Sequence, residues 1–128
     1  MRTLLILLAL VLHAVAAGFK WVRMDFLWAD TGERVWETFA ATTGDKPVRW
    51  ANAFLVKNGA RTFLFNETGD LIIAKLSPAG YEEISRAHLL DPTNTDPGRP
   101  VVWSHPAFAN RSVYARNDKE IVCVSLAK

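Results

Sequence analysis

The chain has 128 residues, 50% of them hydrophobic, which is enough for one globular domain with a sizeable core. Its 15 basic and 13 acidic residues are interspersed without a block of either sign, so the formal charge of +2 leaves no electrostatic footprint for nucleic acid. Nucleic-acid-binding functions are set aside, and five tryptophans and seven phenylalanines, gathered in short segments with valine, isoleucine and leucine, favour strands.

The first element is an apolar run, residues 4–12 (LLILLALVL), preceded by Arg2 and followed by Ala14, Val15, Ala16 and Ala17. A charged start, an apolar stretch and small residues before a cleavage point read as a secretory signal peptide over 1–17, a hydrophobic signal helix. The uncharged stretch 3–19 also reaches the lower limit of a bilayer span, so an uncleaved N-terminal anchor is the alternative and the only route to the membrane. Either reading exports residues 18–128. No lipobox-type cysteine follows the run, so attachment through a lipidated N-terminal cysteine is set aside.

After residue 18 no helical periodicity is sustained, while short apolar runs recur between turn formers, which predicts an all-β protein. Strands are expected at 24–29, 34–40, 51–57, 61–66, 71–76, 81–89, 101–103, 112–116 and 121–126. Asn58-Gly59, between AFLVK and RTFLF, is the strongest hairpin signal, because both central residues of such a turn need positive φ. Thr68-Gly69-Asp70 and Asn117-Asp118-Lys119 mark two further turns. Cys123, the only cysteine, excludes an intramolecular disulfide and a cysteine-based zinc site, and within IVCVSL it reads as a small buried hydrophobe.

Two overlays within the chain point to a repeat. FLFNETGDLIIAKL (63–76) matches VYARNDKEIVCVSL (113–126), Leu71 falling on Ile121 at an offset of 50. TGERVWETF (31–39) matches AGYEEISRA (79–87), Gly32 falling on Gly80 and Trp36 on Ile84 at an offset of 48. Periods of this length with several strands each indicate β-propeller blades. Residues 51–89 then hold one four-stranded antiparallel blade, 24–40 the last two strands of a preceding blade and 101–126 three strands of a following one. A closed ring needs at least about four blades. The expected architecture is therefore a partial propeller whose exposed sheet edges recruit a protein partner or a second copy. Self-association is expected through the last three strands, with the missing fourth supplied by residues 33–40 of the same or another chain.

ADTGERVWE (29–37) carries Asp30, Thr31, Gly32 and, further on, Trp36. This arrangement resembles the tryptophan docking motif of the quinoprotein-like, or PQQ-like (pyrroloquinoline-quinone-like), β-propeller repeat family. There an Asp-x-Thr-Gly turn ends one strand and the tryptophan of the next packs between blades. Gly32 would permit the tight turn, Asp30 and Thr31 can bond its backbone, and Trp36 supplies apolar area. HPAFANRSVYARNDKEIVCVSL (105–126) is similar to the closing segment of such propellers. The resemblance covers most of the chain after residue 24 and implies the C-terminal blades of a bacterial exported protein. It also implies PQQ and calcium for the enzymes of the family, which hold the cofactor under adjacent cysteines inside a complete ring. This chain has one cysteine and no complete ring, so the resemblance implies the fold more than the activity.

His105, between Ser104 and Pro106, is the weak candidate for chemistry. The residue before proline is pushed toward extended geometry, so a rim or strand-edge role bonded to nearby backbone is the simpler reading. His88 is read the same way, and His13 lies in the leader. Glu82 and Glu83 are adjacent on a predicted strand and point to opposite faces, which prevents an acid and base pair. Asp91, Asn94 and Asp96 in DPTNTDPGRP offer oxygen donors, but a long polar connection explains them, and no metal or catalytic residue is assigned. Asn66 and Asn110 each begin a glycosylation sequon, relevant only in a eukaryotic secretory pathway. The reading is an exported, non-catalytic binding or scaffolding module of the periplasm or cell envelope, without an assigned cofactor. The alternative is a fragment of a PQQ-dependent oxidoreductase.

Overall fold

Short runs of β-branched and aromatic residues, separated by turn formers, build twelve strands and no helix among the described residues. The structure, a computed structural model, describes residues 4–5, 24–42, 44, 51–96 and 99–127. The strands are β1 (Leu4–Leu5), β2 (Met24–Trp28), β3 (Arg34–Thr38), β4 (Ala53–Asn58), β5 (Arg61–Asn66) and β6 (Asp70–Ser77). They continue with β7 (Gly80–His88), β8 (Asn94–Asp96), β9 (Arg99–Val101), β10 (Ala107–Ala109), β11 (Ser112–Arg116) and β12 (Ile121–Ser125). All registered pairs are antiparallel, and the sheets run β1-β2-β3, β4-β5-β6-β7, β8-β9 and β10-β11-β12. None of them closes on itself.

The chain divides into two units. The first takes residues 1–51 with the β6–β7 hairpin tip, 76–81. In it β2 pairs with β3 across a bulge, so that Phe26 opposes Trp36 while Leu27 opposes Arg34. Met24, Phe26 and Ala41 are buried there. Of the expected signal helix, only Leu4 and Leu5 are described, and they form β1 against Trp28 and Leu27. The rest of that expectation lies outside the described residues. No helix among the described residues is long and apolar enough to cross a membrane.

The second unit, residues 52–75 and 82–128, packs one face of the β4–β7 sheet on the β10–β12 sheet. Alternation selects the facing residues: Phe63 and Phe65 on β5, and Val113 and Ala115 on β11. Leu71, Leu90 and Val102 complete the buried cluster, and Phe108 lies against Phe63 with ring centroids 5.0 Å apart. Cys123 faces the other way. Val122 and Val124 turn toward the core while Ile121, Cys123 and Ser125 are exposed, which corrects the expectation of a buried thiol.

Three further expectations are corrected. Asn58 pairs with Arg61, so the central residues of the β4–β5 turn are Gly59 and Ala60 rather than Asn58 and Gly59. Only Gly59, at φ 60°, is left-handed, which matches a turn with glycine at its first central position. The polar stretch 91–100 holds the β8–β9 hairpin, which takes up Arg99–Val101 and removes it from the last sheet. That sheet is completed instead by Ala107–Ala109, joined to β11 through Asn110 and Arg111, both left-handed at φ 49° and 56°. Finally, Arg34–Thr38 pairs with β2, so within one chain residues 33–40 do not supply a fourth strand to the β10–β12 sheet.

The two meanders of the second unit use the same kind of cap. Asn66 Oδ1 accepts from Thr68 N at 3.2 Å and Asp70 N at 2.9 Å, closing the β5–β6 turn. Asn117 Oδ1 accepts from Lys119 N at 2.8 Å and Glu120 N at 2.9 Å, closing the β11–β12 turn. An asparagine that bonds the backbone two to four residues on replaces contacts the turn itself cannot make.

Candidate functional site

The turn at residues 30–32 is built around a left-handed glycine. Gly32 is left-handed at φ 70°, and its N–H donates to the Trp28 carbonyl at 2.8 Å. Thr31 Oγ1 accepts from Glu33 N at 3.2 Å. Asp30 is exposed and makes no hydrogen bond to another described residue. Trp36 stacks on Phe26 with centroids 4.9 Å apart and planes at 19°, and its Nε1–H donates to the Ser77 carbonyl at 2.7 Å. The indole thus contributes apolar area while its single donor is satisfied at the tip of the β6–β7 hairpin.

His105 sits in the connection between β9 and β10, not on a strand. Its Nδ1 lies 2.7 Å from the Pro106 carbonyl, which fixes the proton on Nδ1 because a carbonyl can only accept. The ring tilts against Phe54 at 4.9 Å. Both contacts hold the imidazole in the rim. Trp103, two residues earlier, is 52% exposed, whereas Phe108 packs into the core.

The densest polar arrangement lies elsewhere, at the end of the β6–β7 hairpin remote from its tip. His88 Nδ1 is 2.8 Å from Asp70 Oδ1, and its Nε2 is 3.1 Å from Asp91 Oδ1. Arg86 bridges Asp70 Oδ2 at 3.2 Å and grips Glu83 with two bonds of 3.0 Å. Asn117 Nδ2 donates to the Asp91 carbonyl at 2.9 Å, so both meanders meet this cluster. Hydrogen bonds to Asp70, then to Asp91, raise the His88 pKa above its ordinary value, only partly opposed by burial. Burial alone would raise the Asp70 carboxyl; the bonds from His88, Arg86 and Asn66 outweigh it and hold the group below the ordinary range. Glu83 is the largest influence keeping Arg86 firmly charged.

An imidazole with a carboxylate at each nitrogen is suited to the charged form, which donates to both. Nucleophilic catalysis would need a hydroxyl or thiol within hydrogen-bond reach of that ring. The nearby Thr68 hydroxyl is instead 2.8 Å from Asn66 Oδ1. The cluster therefore clamps the β5–β6 turn to the end of β7 and to residue 91. No group of three or more His, Cys, Asp and Glu that could hold a metal occurs among the described residues. Of the three oxygen donors in the 91–100 stretch, Asp91 serves His88, while Asn94 and Asp96 fall on β8.

The sequence reading separated these residues. Asp70 was a turn former, His88 a rim residue and Asp91 part of a connection. Asp70 and His88 meet because β6 and β7 pair, a long-range relation that no local signal in the sequence states.

No known protein-family model, no curated protein and no solved structure matches the chain.

Proposed function

We propose that this chain is an exported binding or scaffolding module, built of PQQ-like propeller repeats, that joins a second copy of itself along a sheet edge. The observation that carries this reading is the contrast between two edge strands. β7 ends the four-stranded sheet and is dressed with charge, Glu82, Glu83 and Arg86, as solvent-exposed edges are when association is to be avoided. β12 ends the last sheet with the sequence IVCVS, carries no charge, and leaves Ile121 72% exposed. Unpaired backbone groups beside apolar side chains form a template for another strand.

Two features support the repeat reading, and a third supports export. The β4–β6 and β10–β12 meanders share their strand order and asparagine-capped turns, and they stack face to face through Phe63 and Phe108. The Thr-Gly turn holds Trp36 against a neighbouring hairpin tip. The apolar run at 4–12 supports export. Sedimentation velocity over a range of concentrations tests the proposal: the native chain forms a dimer, and Cys123→Lys, at an exposed site with no core contact to lose, stays monomeric. A native chain that remains monomeric at every concentration refutes edge association. Equal dimerisation of native chain and variant places the interface elsewhere.

A further inference from the structure

A groove of about 430 Å³ lies within the second unit, between the β4 end next to the Gly59 turn and the β10–β11 turn. Its size falls at the small end of the roughly 300–1,000 Å³ typical of small-molecule sites. Its apolar part is Val56, Phe63, Phe108 and Leu126. Lys57 and Arg111 also line it, whereas no described aspartate or glutamate does. Neither cation has an ion-pair partner among the described residues, unlike Arg34, Lys75 and Arg86.

Arg111 is held there at a conformational disadvantage. It occupies the second central position of a two-residue turn at φ 56°, where glycine sits without strain and a long side chain does not. Asn110, at φ 49°, is a residue type that tolerates this region; arginine is not. Left-handed side chains other than asparagine and aspartate concentrate where the side chain has a task. An unpaired guanidinium beside an acid-free apolar groove has an evident one, the charge-assisted binding of a carboxylate.

We propose that this groove is a binding site for a small monocarboxylate with an apolar body, its head held by Arg111 and its body by Phe63, Phe108 and Leu126. The proposal does not depend on propeller repeats or on dimerisation. The test is a nuclear magnetic resonance titration of the full chain with octanoate, 1-octanol and octylammonium, run in parallel with thermal melts of variants. Octanoate produces saturable shifts centred on the amides of residues 57–58 and 109–112, and binds about tenfold more tightly than octanol, as one charge-assisted bond would give. Arg111→Gly raises the melting temperature by a few degrees, because the strain is relieved, yet binds octanoate no better than octanol. Arg111→Lys retains part of the preference. The proposal is overturned if no saturable shift occurs, if the three probes bind alike, if the shifts centre elsewhere, or if Arg111→Gly melts lower than the native chain or keeps full octanoate affinity.

Discussion

Trp36 Nε1 donates to the Ser77 carbonyl at 2.7 Å while the same indole stacks on Phe26 at 4.9 Å, so one side chain fastens β3 to both its partner strand and a hairpin tip. The two contacts are separable by substitution. Trp36→Phe keeps an aromatic ring for Phe26 and loses the donor, a cost of about 1 kcal/mol. Trp36→Ala loses both and costs roughly 3 kcal/mol. Chemical denaturation of both variants reads the difference, and equal losses would show that the Ser77 bond is energetically silent.

Gly69 is fixed twice over. Its backbone is left-handed at φ 88°, and a Cβ built on it would fall onto the Leu90 carbonyl. Leu89 N also donates to the Gly69 carbonyl at 2.9 Å, so neither segment can withdraw without losing that bond. Gly69→Ala is expected to destabilise by about 2 kcal/mol or more. Gly59→Ala, where φ is 60° but nothing stands within 4 Å, should cost about 1–2 kcal/mol for the backbone alone. The ordering of the two midpoints in denaturant checks the argument.

The asparagine caps predict matched losses in the two meanders. Asn66→Ala strands the Thr68 and Asp70 N–H groups, and Asn117→Ala strands those of Lys119 and Glu120. Each substitution is expected to cost about 1–3 kcal/mol, since Asn66 also accepts from the Thr68 hydroxyl at 2.8 Å and Asn117 also donates to the Asp91 carbonyl at 2.9 Å. Hydrogen exchange at the four stranded amides locates the damage.

The Asp70–His88–Asp91 cluster gives stability a definite pH window. His88 has a raised folded pKa, so its contribution is complete below the ordinary 6.5 and fades as pH rises through the folded value. Asp70 has a lowered one, so its contribution is complete above 3.8 and fades as pH falls through the folded value. The stability difference between the native chain and His88→Gln is therefore greatest between 3.8 and 6.5 and shrinks on either side. His88 is half exposed, so solvent screening keeps the difference to under about 1 kcal/mol. A difference independent of pH would mean that the imidazole acts only by packing.

Strand positions were legible because apolar runs and turn formers are local signals, and β5, β11 and the bounds of β2 within a residue follow them. Ala107–Ala109 was missed because its hairpin turn is Asn110-Arg111: arginine in a left-handed position has no sequence signature. Asn58-Gly59 misled by one residue because Gly59 alone satisfies the turn when it comes first. Cys123 was misplaced because IVCVS is apolar on both faces, and only the packing of Val122 and Val124 decides which face turns outward. The acidic bracket around His88 lay beyond local reading, since its members are 18 and 3 residues away and meet only when β6 and β7 pair.

Edge association through β12 is tested most directly by residue-resolved amide hydrogen exchange at low and high protein concentration. The prediction is that amides of Ile121–Ser125 gain protection as concentration rises, while those of the charged edge Gly80–His88 do not. Unchanged exchange across β12 in a chain that sedimentation shows to be dimeric would contradict it.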